Sequence, residues 1–165
     1  MSTIRHEIWI QADRPTVFDA VTTQQGLDAW WGKALNGAAQ VGDVVEFDHG
    51  LGASLRMRVT DFVPNQRVEW ECISDFSDPG SPASEWLGSR LRFTLEQAPA
   101  DAQHAWLRER LFAEHPEREI TILRFQHAGW AADARWYGFC NTAWGVTLAG
   151  IQQHCEAMAA PHGDD

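Results

Sequence analysis

The sequence has little positive charge and no long apolar run. Lysine and arginine number 13 against 23 aspartates and glutamates, which gives a formal net charge of −10. Nucleic acids and anionic membranes bind positively charged surfaces, so we expect neither as a partner. No window approaches the ~20 apolar residues of a membrane-spanning helix. The start of the chain also lacks the basic segment and apolar run of a secretory signal.

Paired cysteines and catalytic motifs are also missing. Cys72, Cys140 and Cys155 are odd in number and lack C-x-x-C spacing, which indicates reduced, buried thiols in a cytoplasmic protein. We find no Ser/His/Asp order and no glycine-rich phosphate loop. The sequence therefore predicts no catalytic residue, no metal and no cofactor.

Tryptophan is abundant, with nine residues, and glycine occurs in an unexpected place. Gly138, Gly145 and Gly150 lie inside a long amphipathic helix predicted over 133–158, where each costs about 1 kcal/mol relative to alanine. Missing side chains there indicate either close packing or open volume beneath the helix. The surrounding aromatic residues favour the second interpretation, a cavity between this helix and a curved sheet.

The remaining pattern predicts an α+β protein with one domain over 1–165. A half-buried strand at 4–10 is followed by two short helices, the first with Asp13 as N-cap and the second after Gly26. Period-two alternation then predicts a series of antiparallel strands, near 45–49, 55–59, 68–72, 91–95 and 119–129. Segment 98–118 predicts an inserted short helix or an extended hairpin arm, and we expect 160–165 to be a frayed tail.

Several segments resemble the START-like (SRPBCC) superfamily, and within it the branch similar to the C-terminal domain of the activator of the ninety-kilodalton heat-shock protein ATPase. The segments that carry the resemblance are ADRPTVF at 12–18, LDAWW at 27–31, VTDFVP at 59–64, RVEWEC at 67–72, EWLG at 85–88 and TILRFQHAGW at 121–130, followed by Cys140-Asn141 and Trp144-Gly145. The resemblance covers nearly the whole chain, apart from the insertion at 98–118. It implies a helix-grip fold, in which a curved antiparallel sheet wraps around a long C-terminal helix.

The superfamily contains carriers, receptors, interaction modules and enzymes, so the fold leaves the function open. The first hypothesis is non-enzymatic binding of a small hydrophobic or aromatic molecule in a cavity between sheet and C-terminal helix. The second is a protein-interaction module that resembles a chaperone ATPase activator domain, and the third is a cyclase-like or hydratase-like enzyme. A chaperone or other protein is therefore a possible partner, and the chain is expected to be a monomer or a homodimer.

Aromatic rings suit such a pocket because they offer large contact areas with defined geometry. The candidate ligand-binding residues are Trp31, Phe47, His49, Met57, Trp70, Phe93, Phe125, His127, Trp136, Phe139, Cys140 and Ala143.

Other polar residues have mainly structural interpretations. His6, His49 and His127 could share the concave face of the sheet, but without any local metal-ligand pair. Glu69 and Glu71 alternate with Trp70 and are expected to be exposed to solvent. Asn141 is expected either to face a ligand from the helix or to face solvent.

Overall fold

The structure, a computed structural model, describes residues 1–48, 54–76, 78–99 and 102–159. His49 and the predicted tail at 160–165 lie outside these ranges. The elements in chain order are β1 (Ser2–Ile10), α1 (Arg14–Ala20), α2 (Gln24–Trp30), β2 (Val44–Phe47), β3 (Leu55–Val63), β4 (Arg67–Cys72), a 3-10 helix (Pro82–Glu85), β5 (Arg90–Gln97), α3 (Ala102–Leu111), β6 (Thr121–Trp130) and α4 (Tyr137–Ala159). No helix in the described part of the chain is long and apolar enough to cross a membrane.

The strands form one antiparallel sheet in the order β1-β6-β5-β4-β3-β2. Helices α1, α2 and α4 pack on its inner face, which carries the large apolar side chains of the core. This arrangement confirms the predicted α+β helix-grip fold. Segment 98–118 contains helix α3.

Helices α1 and α2 each begin after a side chain that caps the first turn. Asp13 accepts a hydrogen bond from the Thr16 amide at 2.9 Å, which confirms the predicted N-cap. The second helix starts earlier than expected, because Thr23 caps it through the amide of Gly26 at 3.0 Å. Gly26 therefore lies inside α2 rather than before it.

Backbone groups at both edges of the sheet form hydrogen bonds to segments outside it, which leaves fewer free groups to pair with another chain. Along β1, side chains of α4 bind the backbone: the Tyr137 hydroxyl donates to the Thr3 carbonyl and the Gln152 amide donates to the Trp9 carbonyl. Along β2, the Leu35 amide donates to the Glu46 carbonyl at 2.8 Å. The long helix therefore binds groups at one sheet edge as well as covering the core.

Glu69 on the outer face of the sheet differs from the sequence prediction. It is only 8% exposed, because side chains from both neighbouring strands cover it. Its carboxylate accepts hydrogen bonds from Arg92 Nε at 2.8 Å, Arg90 Nη1 at 3.4 Å and Thr60 Oγ1 at 2.9 Å. Solvent exposure was thus wrong for Glu69, while Glu71 is half-buried and pairs with Arg58.

We expect Glu69→Gln to lower the free energy of unfolding by about 1–2 kcal/mol, because it removes a shared charged acceptor from two arginines. The control is Glu71→Gln on the same strand, whose partially exposed pair should contribute about 0–1 kcal/mol. Urea unfolding of both variants measures the difference. Equal losses for the two variants would contradict this role of Glu69.

Two glycines of α4, Gly145 and Gly150, lie against neighbouring side chains rather than over open volume. A Cβ atom at Gly145 would lie 3.4 Å from His6 Cε1, and one at Gly150 would lie 3.4 Å from Trp30 Cβ. Helix α4 begins at Tyr137, later than predicted, so Gly138 is in the first turn and faces open space. At Gly145 and Gly150, the interpretation that a glycine leaves room for a ligand under the helix was wrong.

Candidate functional site

Half of the twelve predicted pocket residues are packed in the core. Those that are 0% exposed are Phe47, Met57, Trp70, Phe93, Phe125 and His127. Their rings contact one another, with centroid distances of 5.1 Å for Trp70–Phe93 and 5.1 Å for Phe93–Phe125. At these positions, side chains fill the space between sheet and helix.

Four other predicted residues meet at a groove on the surface, between the first half of α4, the end of α2 and the 3-10 helix. The groove is open to solvent, has a volume of about 90 Å³, and is lined by Trp31, Pro82, Trp86, Phe139, Cys140, Ala143, Trp144 and Thr147. Phe139 at its rim is 57% exposed. Trp136 lies beside the groove, with its ring edge-to-face against Phe139 at 5.6 Å.

The walls of the groove are indoles held by further aromatic rings. Trp31 follows the last turn of α2 and is parallel to Trp70 at 6.2 Å. Trp86 follows the 3-10 helix and stacks on Trp144 at 5.7 Å, with an interplanar angle of 21°. Since each wall rests on the packed core, the groove is largely preformed.

A buried histidine, His127, links the indole of Trp144 to the backbone of Trp86 through Ser89. Trp144 Nε1 donates to His127 Nδ1 at 3.1 Å, so the proton of the neutral imidazole belongs on Nε2, which donates to Ser89 Oγ at 2.8 Å. The Ser89 hydroxyl in turn donates to the Trp86 carbonyl at 2.6 Å. This chain of hydrogen bonds fixes the Trp144 indole and the Trp86 backbone beneath the groove.

The environment of His127 keeps it neutral. Burial lowers its pKa from 6.5 to about 3, because the charged imidazolium would lose its hydration. Protonation at Nδ1 would also break the bond from Trp144. His127 therefore acts here as a fixed acceptor and donor over the neutral range of pH.

The first turn of α4 is held by Glu85. Its carboxylate accepts hydrogen bonds from the amides of Arg135 at 2.9 Å and Trp136 at 2.8 Å. These amides precede the helix and have no partner within it. Glu85 thus places Trp136, and through it Phe139, beside the groove.

The polar residues considered as ligands for a metal or a small molecule are otherwise engaged. His6 Nε2 lies 3.0 Å from Asn141 Oδ1 and 3.1 Å from the Asn141 carbonyl, at the edge of the sheet rather than in the groove. Among the residues with described positions, no group of three histidines, cysteines or acidic residues could hold a metal ion. Asn141 therefore bonds within the protein instead of facing an interior ligand.

The sequence prediction omitted half of the groove. Pro82, Trp86, Trp144 and Thr147 line it but were absent from the candidate list. Trp144 lies four residues after Cys140, and Thr147 four after Ala143, so helical spacing alone could have identified both. Nothing local in the sequence signals that the segment around Trp86 packs against that helix face.

Comparison with known proteins gives one family and a consistent fold. The model of the family described as Activator of Hsp90 ATPase homolog 1-like protein matches residues 11–156. The solution structure of the Aha1 dimer from Colwellia psychrerythraea has 27% identity and a TM-score of 0.71, over 94% of this chain and 97% of that one. No curated protein matches the sequence.

Two more distant structures share the fold. Protein MLL2253 from Mesorhizobium loti has 21% identity and a TM-score of 0.69, over 92% of this chain and 95% of that one. Protein BH1534 from Bacillus halodurans has 17% identity and a TM-score of 0.66, over 94% and 98%. At these identities the similarity concerns architecture alone.

Proposed function

We propose that this chain is an interaction module, which binds an apolar side chain of a partner protein in the groove. The chain belongs to the Activator of Hsp90 ATPase homolog 1-like family. The partner class proposed is a chaperone of the Hsp90 type, as the family description suggests. The proposed contact residues are Trp31, Phe139, Cys140 and Ala143 from the sequence prediction, together with Trp86 and Trp144.

The observation that carries this proposal is the size of the groove. Clefts that enclose small ligands have volumes of about 300–1,000 Å³, whereas this groove has about 90 Å³ and is open to solvent. Such a volume accommodates part of a molecule, such as one side chain, better than a whole hydrophobic ligand. Central apolar anchors of this kind dominate the energy of many protein interfaces.

The exposed rim supports the same conclusion. Phe139 is 57% exposed although it is a large aromatic residue. An aromatic ring at the edge of an apolar depression adds contact area when a partner covers it. The net charge of −10 also favours partners with a positive surface.

We expect Ala143→Leu to abolish stimulation of an Hsp90-type chaperone ATPase, because the added atoms fill the groove that Ala143 lines. The matched control is Val146→Leu on the same helix, since Val146 is 74% exposed and is not among the groove-lining residues. The steady-state ATPase rate of the chaperone, with and without each variant, measures the effect. Stimulation retained by Ala143→Leu would contradict the proposed site, and no stimulation by the natural sequence would contradict the partner class.

Binding of a small hydrophobic molecule remains a second proposal, favoured by a larger trough elsewhere. The trough between β1, α3 and α4 has a volume of about 430 Å³, and its apolar lining comes from Ile8, Trp9, Leu107 and Phe112. This volume lies within the range of small-molecule sites. Native mass spectrometry of the freshly purified protein tests it, and a spectrum with only the mass of the chain would count against a carrier.

A further inference from the structure

Strand β1 leaves the middle of its outer edge without hydrogen-bond partners. It pairs with β6 on one side only, and on the other side α4 binds the carbonyls of Thr3 and Trp9. Because edge-facing groups recur at every second residue of an antiparallel strand, Arg5 and Glu7 also direct their backbone N–H and C=O groups to this edge. Among the described residues, none donates to these groups or accepts from them. Such groups can pair with another strand.

The usual protections of an edge strand are absent from this stretch. Short strands, prolines and bulges hinder pairing with another chain. Strand β1 has nine residues and no proline, and its pairing with β6 is regular from Thr3 to Ile10. The strand at the opposite edge, β2, has only four residues. Of the two edges, β1 is therefore better suited to accept a further strand.

The charged side chains beside these backbone groups have opposite signs. Arg5 and Glu7 are two residues apart, so both lie on the outer face of the sheet. Arg5 is exposed and has no ion pair within the described part of the chain. The Glu7 carboxylate accepts from Arg124 Nε at 2.9 Å and from Trp9 Nε1 at 3.2 Å. A carboxylate has room for about four donors, so Glu7 can also bind the arginine of another copy.

We propose that two copies of this chain form a dimer by antiparallel pairing of β1 with β1, about a two-fold axis at His6. In this register Arg5 lies opposite Glu7 of the second copy, and the two residues exchange backbone hydrogen bonds while their side chains form an ion pair. The axis repeats these contacts, because such an interface uses the same surface of both copies. A shift of the axis by one residue would place arginine opposite arginine or glutamate opposite glutamate, which is destabilising. The interface uses no residue of the groove and is independent of the proposed function.

The face of α4 beside this edge leaves room for a second copy. A Cβ atom at Gly145 would lie 3.4 Å from His6 Cε1, so α4 passes the proposed axis at Gly145. At successive spacings of four, three and four residues, one face of the helix carries small, exposed residues, namely Gly138, Thr142, Gly145 and Ala149. Because these side chains are short, the α4 helices of the two copies can approach each other without blocking the strand edge.

The test is analytical ultracentrifugation of the natural chain and of two charge reversals. We expect the natural chain to form dimers in a concentration-dependent equilibrium. Arg5→Glu or Glu7→Arg alone would place like charges opposite each other across the axis, which should weaken dimerisation by about tenfold or more. An equimolar mixture of the two variants, one of them fluorescently labelled, has opposite charges at both positions. We therefore expect mixed dimers with an affinity near that of the natural chain.

Arg56→Glu is the matched control. Arg56 is also exposed and has no ion pair among the described residues, but it lies on β3, far from β1 in the strand order. This variant should dimerise like the natural chain, and thermal unfolding of all variants separates a weaker interface from a weaker fold. A natural chain that stays monomeric up to millimolar concentration would overturn the proposal. So would a dimer that Arg5→Glu leaves intact, or the absence of mixed dimers from two folded variants.

Discussion

Gly26→Ala is expected to destabilise the protein by about 2–3 kcal/mol, which is a large effect for a single methyl group. A Cβ atom at this position would lie 2.6 Å from the Cα atom of Ala20 and would also clash with the Asp19 carbonyl. Both contacts are with backbone atoms, so they can be relieved only if α1 and α2 move apart. Thermal or urea unfolding measures the loss.

The same clash should affect the groove. One turn after Gly26, Trp30 Nε1 donates to the Ala20 carbonyl at 2.7 Å, and Trp30 stacks on Trp31 at 5.7 Å. Separation of the two helices would therefore displace a wall of the groove. We expect weaker partner binding by Gly26→Ala as well as lower stability.

Gly138→Ala is the control for this prediction. Nothing lies within 4 Å of the Cβ position at Gly138, so alanine should stabilise the first turn of α4 by up to about 1 kcal/mol. Destabilisation of similar size in both variants would show that glycine is required at these sites for a reason other than the close approach of α1 and α2.

The second large effect concerns pH. The pKa of His127 is lowered by burial from 6.5 to about 3, so between these values the unfolded chain binds a proton that the folded chain does not. Stability contributed by neutral His127 is therefore fully present above about pH 6.5 and is lost as the pH falls. The expected slope approaches about 1.4 kcal/mol per pH unit.

His127→Gln isolates this contribution from the acidic residues that titrate in the same range. Glutamine can still accept from Trp144 and donate to Ser89, but it binds no proton in the unfolded state. The variant should be less stable than the natural sequence at pH 7, and the difference in free energy of unfolding should narrow from pH 6.5 towards pH 4. A difference that stays constant with pH would show that His127 titrates equally in both states.

The fold was predictable because its signals are local. Three features depend only on residues that are close together in the sequence, and the structure contains all three. They are the alternation along 4–10, the Asp13 cap and the long C-terminal helix. The resemblance to the superfamily with the helix-grip fold correctly predicted how these elements are arranged. The start of α4 was missed because Glu85, about 50 residues earlier in the chain, holds the amides that precede it.

The site was predictable only in part, because packing depends on distant residues. Periodicity assigns Gly150 to the face of α4 that covers the core. It does not predict that a Cβ atom at this position would lie 3.4 Å from Trp30 Cβ. The same limit applies to His127, whose role depends on hydrogen bonds to Trp144 and Ser89. Close packing and an empty cavity give the same sequence pattern, and only the positions of other elements distinguish them.

Partners are proposed to bind at the groove and not in the interior or at the trough beside α3. Incorporation of 5-fluorotryptophan gives one ¹⁹F NMR signal for each of the nine tryptophans, and an Hsp90-type chaperone is added stepwise. We predict that the signals of Trp31, Trp86 and Trp144 change, while those of Trp9 and Trp106 stay constant. Changes confined to Trp9 and Trp106, with the groove signals constant, would contradict partner binding at the groove.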